Sequence, residues 1–562
     1  MNSMKVLTSL AGVSALVCVA NANALNINLY DEADPLQVTI RISGSTSHDP
    51  GLEKLWQLNE RNLGICVEGT LDFFRSRDRR KRLAYCVGRP FPFLPVELAG
   101  KRLAIHKASE GGSGNGVAPL VRAPFSPGLP NPPDFWNVPT GGGATFLQAC
   151  AGVTETPLPG TPFAIYTLHD DCPNGSIAAG TINNPAPDAG ISDLEPAIFK
   201  IAFDPDLNAI ELAAIPPKLI SAVVMGVPVT LNIRNRMQAL QFENADPPLD
   251  VCHPSHPNYG DPVVPDPELP ESTITITNAE SGECQPSLYR SQLAALYSGS
   301  FFNWSQITSP TTPGEDLTNL EIPNVLDNAL SDRSVFWCRR VDTSGTQASF
   351  ETYMLGQRCA DGVPPFVTAA LDPAQVTESS GSSEVVRCLN TKFAAREGAI
   401  GVLSLEFLPG TSDNFRFIKV GAKAPCLLEI VKSSYDFVAE STMQWRTVAI
   451  AGLPRLRDFP LRLALVQHIR KKMGRRAVIQ DLNIAFKTLF CGGSSEPDEG
   501  SGALLGNALS ANVPPTTPFV AEGGGTDDVQ VHPILTKTRG LNGPNSCGRI
   551  IDVHPTEIEL AP

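Results

Sequence analysis

The chain carries few positive charges for its size. Of 562 residues, 44 are Lys or Arg and 58 are Asp or Glu, which gives a formal net charge of −14 at pH 7. An acidic chain is not attracted to nucleic acid or to an anionic membrane surface, so we expect neither as a partner. Beyond the first 24 residues, no apolar run reaches the ~18 residues that a helix needs to cross a bilayer. We therefore expect no transmembrane segment in the mature chain.

Several motifs of catalysis and cofactor binding are also missing. No two cysteines have CxxC spacing, which gives zinc sites and thioredoxin-like chemistry little support. No GxSxG turn presents a serine nucleophile, and the Gly-rich segments match neither the phosphate loop of NTPases nor the dinucleotide fingerprint. We therefore expect no metal and no cofactor. A hydrolase built on Ser45, His48 and Asp193 remains an alternative, although His48 is expected on an exposed turn.

The composition indicates a globular protein with much loop. Hydrophobic residues make up 42% of the chain and charged residues 18%, and there are 50 prolines and 46 glycines. A length of 562 residues is enough for two or three domains with their own cores.

The first 24 residues have the pattern of a secretory signal. Lys5 precedes an apolar stretch at 6–19, and the small residues Ala22 and Ala24 mark a cleavage site. Cleavage after Ala24 places the mature protein in the periplasm or outside the cell. Cys18 leaves a lipoprotein as the alternative, although the bulky Val17 before it is unusual at such sites.

The cysteines predict disulfides. Loss of the signal removes Cys18 and leaves an even number of cysteines, which in an exported chain favours disulfide bonds. Pairs of neighbours along the chain would staple local excursions, but the sequence leaves the connectivity open. The plausible pairs are Cys66 with Cys86, Cys150 with Cys172, and Cys252 with Cys284.

Four segments share one design, in which a strand ends in a polar turn. Strand-like stretches at 36–43 and 102–108 run into such turns, a short apolar run closes at 190–196, and the stretch 338–350 (CRRVDTSGTQASF) leads into a helix. Free N–H groups and hydroxyls at a helix N-terminus form an anion site, and an adjacent arginine adds a forked donor. Each turn taken alone is equally typical of an ordinary helix cap.

Other segments give simpler expectations. The basic run RSRDRRKR at 75–82 is interpreted as a solvated loop rather than a nucleic-acid patch. Buried strands are expected at 219–235 and 397–407. Helices are expected at about 287–299 and 346–356.

The four turns, taken in order, resemble the periplasmic phosphate-binding proteins of ABC transporters. The matching motifs are GST at 44–46, GGSGNGV at 111–117, ISD at 191–193 and RVDTSGT at 340–346, of which the last is the most specific. The resemblance implies an α/β fold, namely the two-lobed type II periplasmic binding protein fold, here with long disulfide-stapled loop insertions.

The resemblance also implies how the chain is divided. Lobe 1 comprises 25–218 and 420–562, with an insertion at about 120–185 and a C-terminal extension. Lobe 2 comprises 219–419, with a Pro-rich insertion at about 245–283. The crossovers between the lobes are expected near 215–230 and 405–425.

Carried over residue by residue, the resemblance implies a ligand site. Asp193 accepts a proton that phosphate still carries, and Arg340 supplies a cationic fork that Asp342 orients. Hydroxyl and N–H groups complete the clamp. At Ser47 the family commonly has an aromatic residue. The implied ligand-binding residues are Thr46, Ser47, Ser113, Asp193, Arg340, Ser344, Gly345 and Thr346, with Asp342 in support.

The implied function is binding and not catalysis. An exported substrate-binding protein would capture inorganic phosphate, or a related protonated oxyanion, by hinge closure for uptake or sensing, with an ABC permease as a candidate partner. The alternative is a disulfide-rich envelope or extracellular protein that reuses the fold for adhesion, scaffolding or sensing without binding phosphate.

Overall fold

One mixed β-sheet runs through the protein and carries all of the predicted motifs. The computed structural model describes residues 26–57, 64–122, 133–136, 153–157, 164–168, 186–242, 250–261, 277–320, 329–356, 372–425 and 435–473, apart from short gaps inside these ranges. The fold is mixed α/β, as the resemblance implies.

The main path of the sheet has the order β11-β10-β12-β8-β15-β7-β1-β4-β3-β2-β6-β5. Off this path, β13 and β14 pair with β8, and β9 pairs with β14. The strands are β1 Gln37–Gly44, β2 Asp72–Ser76, β3 Lys81–Val87, β4 Arg102–Ala108, β5 Val153–Pro157, β6 Ala164–Leu168, β7 Ala189–Ser192, β8 Lys218–Thr230, β9 Ser287–Leu288, β10 Asp332–Arg340, β11 Val376–Ser379, β12 Glu397–Gly401, β13 Leu403–Ser404, β14 Phe415–Val420 and β15 Val438–Gln444.

Helices pack against this sheet. The α-helices of the described residues are α1 Asp49–Gln57, α2 Ala209–Ala214, α3 Leu231–Gln241, α4 Arg290–Tyr297, α5 Gly345–Leu355, α6 Ser382–Ala394 and α7 Pro460–Met473. The helices expected at 287–299 and 346–356 are confirmed as α4 and α5, with ends that differ by a few residues.

The strand β1 is buried on both faces, although its sequence alternates between apolar and polar residues. Val38, Ile40 and Ile42 belong to a hydrophobic core. The intervening polar residues are buried too, and β1 pairs with β4 on one edge and with β7 on the other. Arg41 meets this burial by pairing with Glu32. A central parallel strand is covered on both faces, which the alternating pattern alone does not predict.

The strand expected at 219–235 ends earlier than predicted. β8 stops at Thr230, and α3 begins at the next residue. The run of β-branched residues ends at Thr230, and the apolar residues that follow, Ile233, Met237 and Leu240, have helical spacing. The expected strand at 397–407 is likewise split into β12 and β13.

The hydrophobic interior has two large cores, and two long strands contribute to both. One core gathers residues of β8, β10, β12, β14, α3 to α6 and the start of β15, and it extends to residues of 117–121 and 194–215, which follow β4 and β7. A second core gathers residues of β1, β3, β4, α1 and α7. In β8, Ile220 belongs to the second core and Val223 to the first; in β15, Met443 belongs to the second and Val438 to the first. β8 and β15 therefore contribute to both cores, and they pair antiparallel. The parts of the protein on either side of this strand pair are called its two halves.

The sequence predicted two places at which the chain crosses between the lobes. β8 falls within the first predicted crossover, near 215–230. At the second, near 405–425, the structure has β14, which pairs with β8 inside one half. The strand that returns beside β8 is β15, at Val438–Gln444.

Three disulfides lie within the described residues. The predicted pairs Cys66–Cys86 and Cys252–Cys284 are confirmed. A third bond, Cys338–Cys388, was not predicted and ties β10 to α6. It joins residues 50 positions apart and so restricts the unfolded chain. The expected pair of Cys150 with Cys172 lies outside the described residues.

The basic run at 75–82 is not a solvated loop throughout, which corrects the expectation. Its ends belong to β2 and β3, and Arg77, Asp78 and Arg80 lie in the turn between them. Arg82 on β3 is 6% exposed, and its guanidinium donates to Asp49 at 2.6 Å and to Glu53 at 2.6 Å. A β-strand turns alternate side chains inward, so a run of like charges need not all face water.

Some expectations fall outside the described residues. They are the signal segment 1–24, most of the insertion at 120–185, part of the insertion at 245–283, and the C-terminal segment after 473. No helix of the described ranges is long and apolar enough to cross a membrane.

Candidate functional site

Three of the four predicted motifs lie side by side at one edge of the sheet. β1 pairs in parallel with β4 on one side and with β7 on the other. The carboxyl ends of parallel strands face the same edge, so the segments that follow these strands meet there. Residues 45–47 follow β1, Ser113 lies in the segment after β4, and Asp193 follows β7 directly.

The Asp193 carboxylate is held by three serine hydroxyls. Ser45 Oγ donates to Asp193 Oδ1 at 2.5 Å, and Ser47 Oγ donates to the same oxygen. Ser113 Oγ donates to Asp193 Oδ2 at 2.8 Å and accepts from the Asp193 N–H at 3.0 Å. Asp193 is 3% exposed. An ionised carboxylate offers about four acceptor directions, so these hydroxyls leave about one for a further donor.

Thr46 lies in the same turn but is only half-buried. Its carbonyl accepts from the Asp49 N–H at 3.0 Å. The Ser47 N–H donates to Ser45 Oγ at 3.1 Å. Ser45, which the motif comparison passed over, therefore holds both the turn and the carboxylate. A serine that accepts from the N–H two residues later is a recurrent turn pattern and could have indicated this position.

A buried lysine, also missed by the sequence analysis, lies beneath this turn. Lys107 Nζ donates to the carbonyls of Gly44 at 2.8 Å and Ser45 at 3.0 Å, and to Ser109 Oγ at 2.7 Å. It also forms an ion pair with Asp49 at 3.3 Å. Burial lowers the pKa of Lys107 to about 8, although the Asp49 carboxylate opposes this shift. Lys107 thus ties the end of β1 to the end of β4.

The fourth motif lies at a second edge, formed by β10 and its parallel neighbours β11 and β12. Arg340 ends β10 and is 2% exposed. Its guanidinium donates to Ser382 Oγ at 2.6 Å and to the Ser380 carbonyl at 2.9 Å. Ser344 caps α5, since its Oγ accepts from the Gln347 N–H at 3.4 Å. A buried guanidinium therefore lies beside a helix N-terminus, as an anion site requires.

The two edges are in direct contact. The Gly114 N–H donates to the Thr343 carbonyl at 2.7 Å, and Thr343 Oγ1 donates to the Gly111 carbonyl at 2.8 Å. A Cβ placed on Gly112 would lie 3.4 Å from Arg340 Nη2. The Gly-rich loop after β4 therefore packs against the turn that leads into α5, because the absence of side chains lets the backbones approach.

Gly345 brings the start of α5 onto Asp193. A Cβ on Gly345 would lie 2.2 Å from Ser113 Oγ and 2.4 Å from Asp193 Oδ2, so its backbone touches both residues. Thr346 follows in the first turn of α5 and is 3% exposed. The structure thus brings Ser113, Asp193 and Gly345 together, with Ser47 on the same carboxylate.

Asp342 lies at the margin of this site. It is exposed, and its carboxylate accepts from the Arg339 guanidinium. The sequence predicts that Asp342 orients the Arg340 guanidinium, and this role stays a prediction.

His48 is buried, which corrects the expectation of an exposed turn. It is 1% exposed, and among the described residues its Nε2 has no hydrogen-bond partner. Ser45 Oγ donates directly to Asp193, so the imidazole does not stand between the two as a catalytic base would. Burial lowers the pKa of His48 to about 4, although Asp193 and Asp49 oppose the shift. The side chain is therefore neutral at pH 7.

Acid is expected to destabilise the protein through His48. The unfolded chain binds a proton near pH 6.5, whereas the folded chain binds it near pH 4. Between these values the unfolded state holds more protons, so the stability contribution present above pH 6.5 is lost as the pH falls. The slope is at most about 1.4 kcal/mol per pH unit. Urea titrations of the wild type and of His48→Gln from pH 7 to pH 4 measure it.

His256→Gln makes the same substitution at a half-buried loop position and serves as the control. It should keep the wild-type slope, whereas His48→Gln should flatten it. Equal slopes for all three proteins would contradict the assignment.

The site combines several hydrogen-bond donors with one carboxylate acceptor, that of Asp193. Among the described residues, no group of three His, Cys, Asp or Glu side chains could hold a metal ion. Three serine hydroxyls and the start of α5 contact the Asp193 carboxylate, and the Arg340 guanidinium lies beside the Gly-rich loop that carries Ser113. Such a set suits an oxyanion that also donates a proton.

No protein-family model and no curated protein matches the chain. Solved structures do match it, at low identity. The high-affinity periplasmic phosphate-binding protein PfluDING, bound with phosphate, is 12% identical, with a TM-score of 0.31 over 85% of this chain and 90% of its own. PstS from Borrelia burgdorferi is 10% identical, with a TM-score of 0.28 over 79% of this chain and 96% of its own. An ABC-type phosphate transport receptor from Vibrio cholerae is 15% identical, with a TM-score of 0.26 over 51% of this chain and 77% of its own. The first and the third are a periplasmic phosphate-binding protein and an ABC-type phosphate transport receptor, the kinds of protein that the four sequence motifs resemble.

Proposed function

We propose that the chain is an exported substrate-binding protein that captures inorganic phosphate, or a related protonated oxyanion, between two halves that close on it. One observation carries the proposal. Arg340, the N-terminus of α5 and the hydroxyls on Asp193 come together from segments far apart in the sequence. A local helix cap accounts for any one of these segments alone, but not for the meeting of all of them.

The charges favour phosphate over other oxyanions. Arg340 and the N-terminus of α5 supply positive charge and donors, which any oxyanion can use. Asp193 supplies a buried acceptor, which only a ligand that carries a proton can satisfy. Sulfate has no proton at neutral pH and is repelled, whereas phosphate donates to the carboxylate. Discrimination of this kind arises from the repelled group in the wrong complex.

Each residue has a part in the proposed clamp. Asp193 accepts the ligand's proton, and Arg340 donates its fork, with Asp342 in support. The other members donate hydroxyl or N–H groups, and they are Thr46, Ser47, Ser113, Ser344, Gly345 and Thr346.

β8 and β15 contribute residues to both large cores and pair antiparallel, so we place the hinge at these strands. Bending there would separate Asp193 from Gly345. Lobe 1 comprises 25–218 and 420–562, and lobe 2 comprises 219–419. The protein acts in the periplasm or outside the cell, after loss of residues 1–24, and delivers its ligand to an ABC permease or to a sensor.

Calorimetry of the purified protein with phosphate and with sulfate tests the proposal. Phosphate should release or absorb heat with one-site stoichiometry and raise the melting temperature, and sulfate should bind more weakly. In Asp193→Asn, the preference for phosphate over sulfate should fall about tenfold or more, since an unpaired or repelled charged group costs about 1.5 kcal/mol or more. Asparagine has the size of aspartate but lacks the repelling charge.

Asp458→Asn makes the same change in an exposed ion pair with Arg455 and should leave the preference unaltered. An unchanged preference in Asp193→Asn would remove its role as proton acceptor. No binding of phosphate, arsenate or sulfate by the wild type would remove the function. The disulfide-stapled envelope or extracellular protein would then be the better interpretation.

A further inference from the structure

Arg80, in the basic turn between β2 and β3 that the proposed site does not use, reaches across to the other half of the protein. Arg80 Nη1 lies 3.1 Å from Glu110 Oε1, and Arg80 Nη2 forms an ion pair with Glu384. The side chains of Arg80 and Glu384 are 27% and 25% exposed. This ion pair is therefore partly shielded from water, which strengthens it relative to a fully exposed pair.

The ion pair joins elements that belong to different cores. Arg80 lies between β2 and β3, whose residues Phe73 and Cys86 pack in the second core. Glu384 lies on α6, whose residues Val385 and Leu389 pack in the first core. Its two members are 304 positions apart in the sequence. A hinge motion that opens the halves would separate the pair.

Glu384 also holds the turn that anchors Arg340. Glu384 Oε2 accepts from the Ser380 N–H at 2.7 Å and from the Gly381 N–H at 3.3 Å. Arg340 donates to the carbonyl of the same Ser380. Burial alone raises the pKa of Glu384, but Arg80 and these backbone donors outweigh it and hold the pKa below its usual value. Glu384 is thus ionised and shared between the ion pair and the Arg340 turn.

We infer that Arg80 and Glu384 form a clasp that holds the two halves closed and steadies the turn on which Arg340 rests. In the open protein, Arg80 keeps its partner Glu110 on its own half, whereas Glu384 keeps only its cap on α6. Closing the protein therefore adds the ion pair between Arg80 and Glu384, while Arg80 is already paired with Glu110 in the open state. The clasp itself requires no ligand, and only its effect on ligand affinity rests on the proposed function.

Hydrogen exchange at the Gly114 N–H measures the clasp without a ligand. This N–H donates to the Thr343 carbonyl, and the two residues lie on opposite proposed lobes, so it exchanges when the lobes open. Arg80→Gln and Glu384→Gln should each speed its exchange about two- to fivefold, the range for a partly exposed ion pair. Glutamine at 384 can still cap α6, so this variant removes the charge and keeps the cap.

The double variant decides whether the two residues act together. If they form one clasp, Arg80→Gln combined with Glu384→Gln should speed exchange no more than either change alone. Lys392→Gln breaks an ion pair with Glu397 inside one half and should leave the Gly114 exchange at its wild-type rate. Wild-type exchange in both single variants, or effects that multiply in the double variant, would overturn the clasp.

Phosphate titrations of the same variants test the link to Arg340. Both single variants should lower phosphate affinity by a factor similar to their effect on exchange, and Lys392→Gln should not. Faster Gly114 exchange with unchanged affinity would overturn the link to Arg340 and keep the clasp. A wild type that binds no phosphate would overturn the proposed function, and the exchange data would still decide the clasp.

Discussion

Replacing Arg340 with alanine is expected to weaken phosphate binding by about a hundredfold to several thousandfold. The guanidinium is buried at the end of β10 and supplies the only charged donor that we assign to the ligand. Removing one partner of a buried ion pair costs about 3–5 kcal/mol, because the other charge stays buried without compensation. Calorimetric titration with phosphate measures the loss. Arg340→Lys should recover part of it, since lysine restores the charge but not the fork.

Arg333→Ala is the matched control, because Arg333 lies on the same strand at its exposed end. It should bind phosphate like the wild type. Arg340 also holds Ser380 and Ser382, so the melting temperature of each variant is measured alongside. A loss below about 1 kcal/mol in a well-folded Arg340→Ala protein would place Arg340 outside the clamp, because that is the range of an exposed pair.

Gly345→Val is expected to lower phosphate affinity by about fivefold to 150-fold, by a different route. Even the first carbon of a side chain at 345 would lie 2.2 Å from Ser113 Oγ and 2.4 Å from Asp193 Oδ2. Overpacking a close contact costs about 1–3 kcal/mol, and valine adds more atoms than the alanine that would already clash. The halves should therefore fail to close fully. Phosphate titration measures the loss, and small-angle scattering measures the more open shape.

Gly260→Val is the control, since a Cβ on Gly260 meets nothing within 4 Å. It should change neither affinity nor shape. Gly345→Ala should fall between the wild type and Gly345→Val. Wild-type affinity in Gly345→Val would mean that the start of α5 does not approach Asp193 in the protein that binds the ligand.

The strands and helices near the site were largely predictable from the sequence. The stretch 102–108 coincides with β4, and the helix expected at 346–356 is α5. These elements have strong local patterns, namely a branched apolar run and a polar cap before a helix. The end of β8 was predicted less well, because an apolar run alone does not distinguish a strand from the helix that follows it.

The supporting residues were not predictable, because their partners are distant in the sequence. Lys107 lies within an ordinary strand pattern, and only the pairing of β1 with β4 places its ammonium under residues 44–45. His48 follows a turn motif and was expected to be exposed, but it is 1% exposed in the folded protein. Arg80 and Arg82 belong to one basic run. Arg80 nevertheless pairs with Glu384 on the other half, whereas Arg82 pairs with Asp49 at the start of α1.

The sequence by itself determined which residue types follow each strand, and their order along the chain predicted the four turns. It determined these because caps and turns depend on neighbouring residues. Only the tertiary structure decided that the turns meet, since that depends on the parallel pairing of β1 with β4 and β7 and on the contact of Gly345 with Asp193. It also decided that Asp193 is shared by Ser45, Ser47 and Ser113, because a buried carboxylate takes its donors from whichever segments the sheet brings to it.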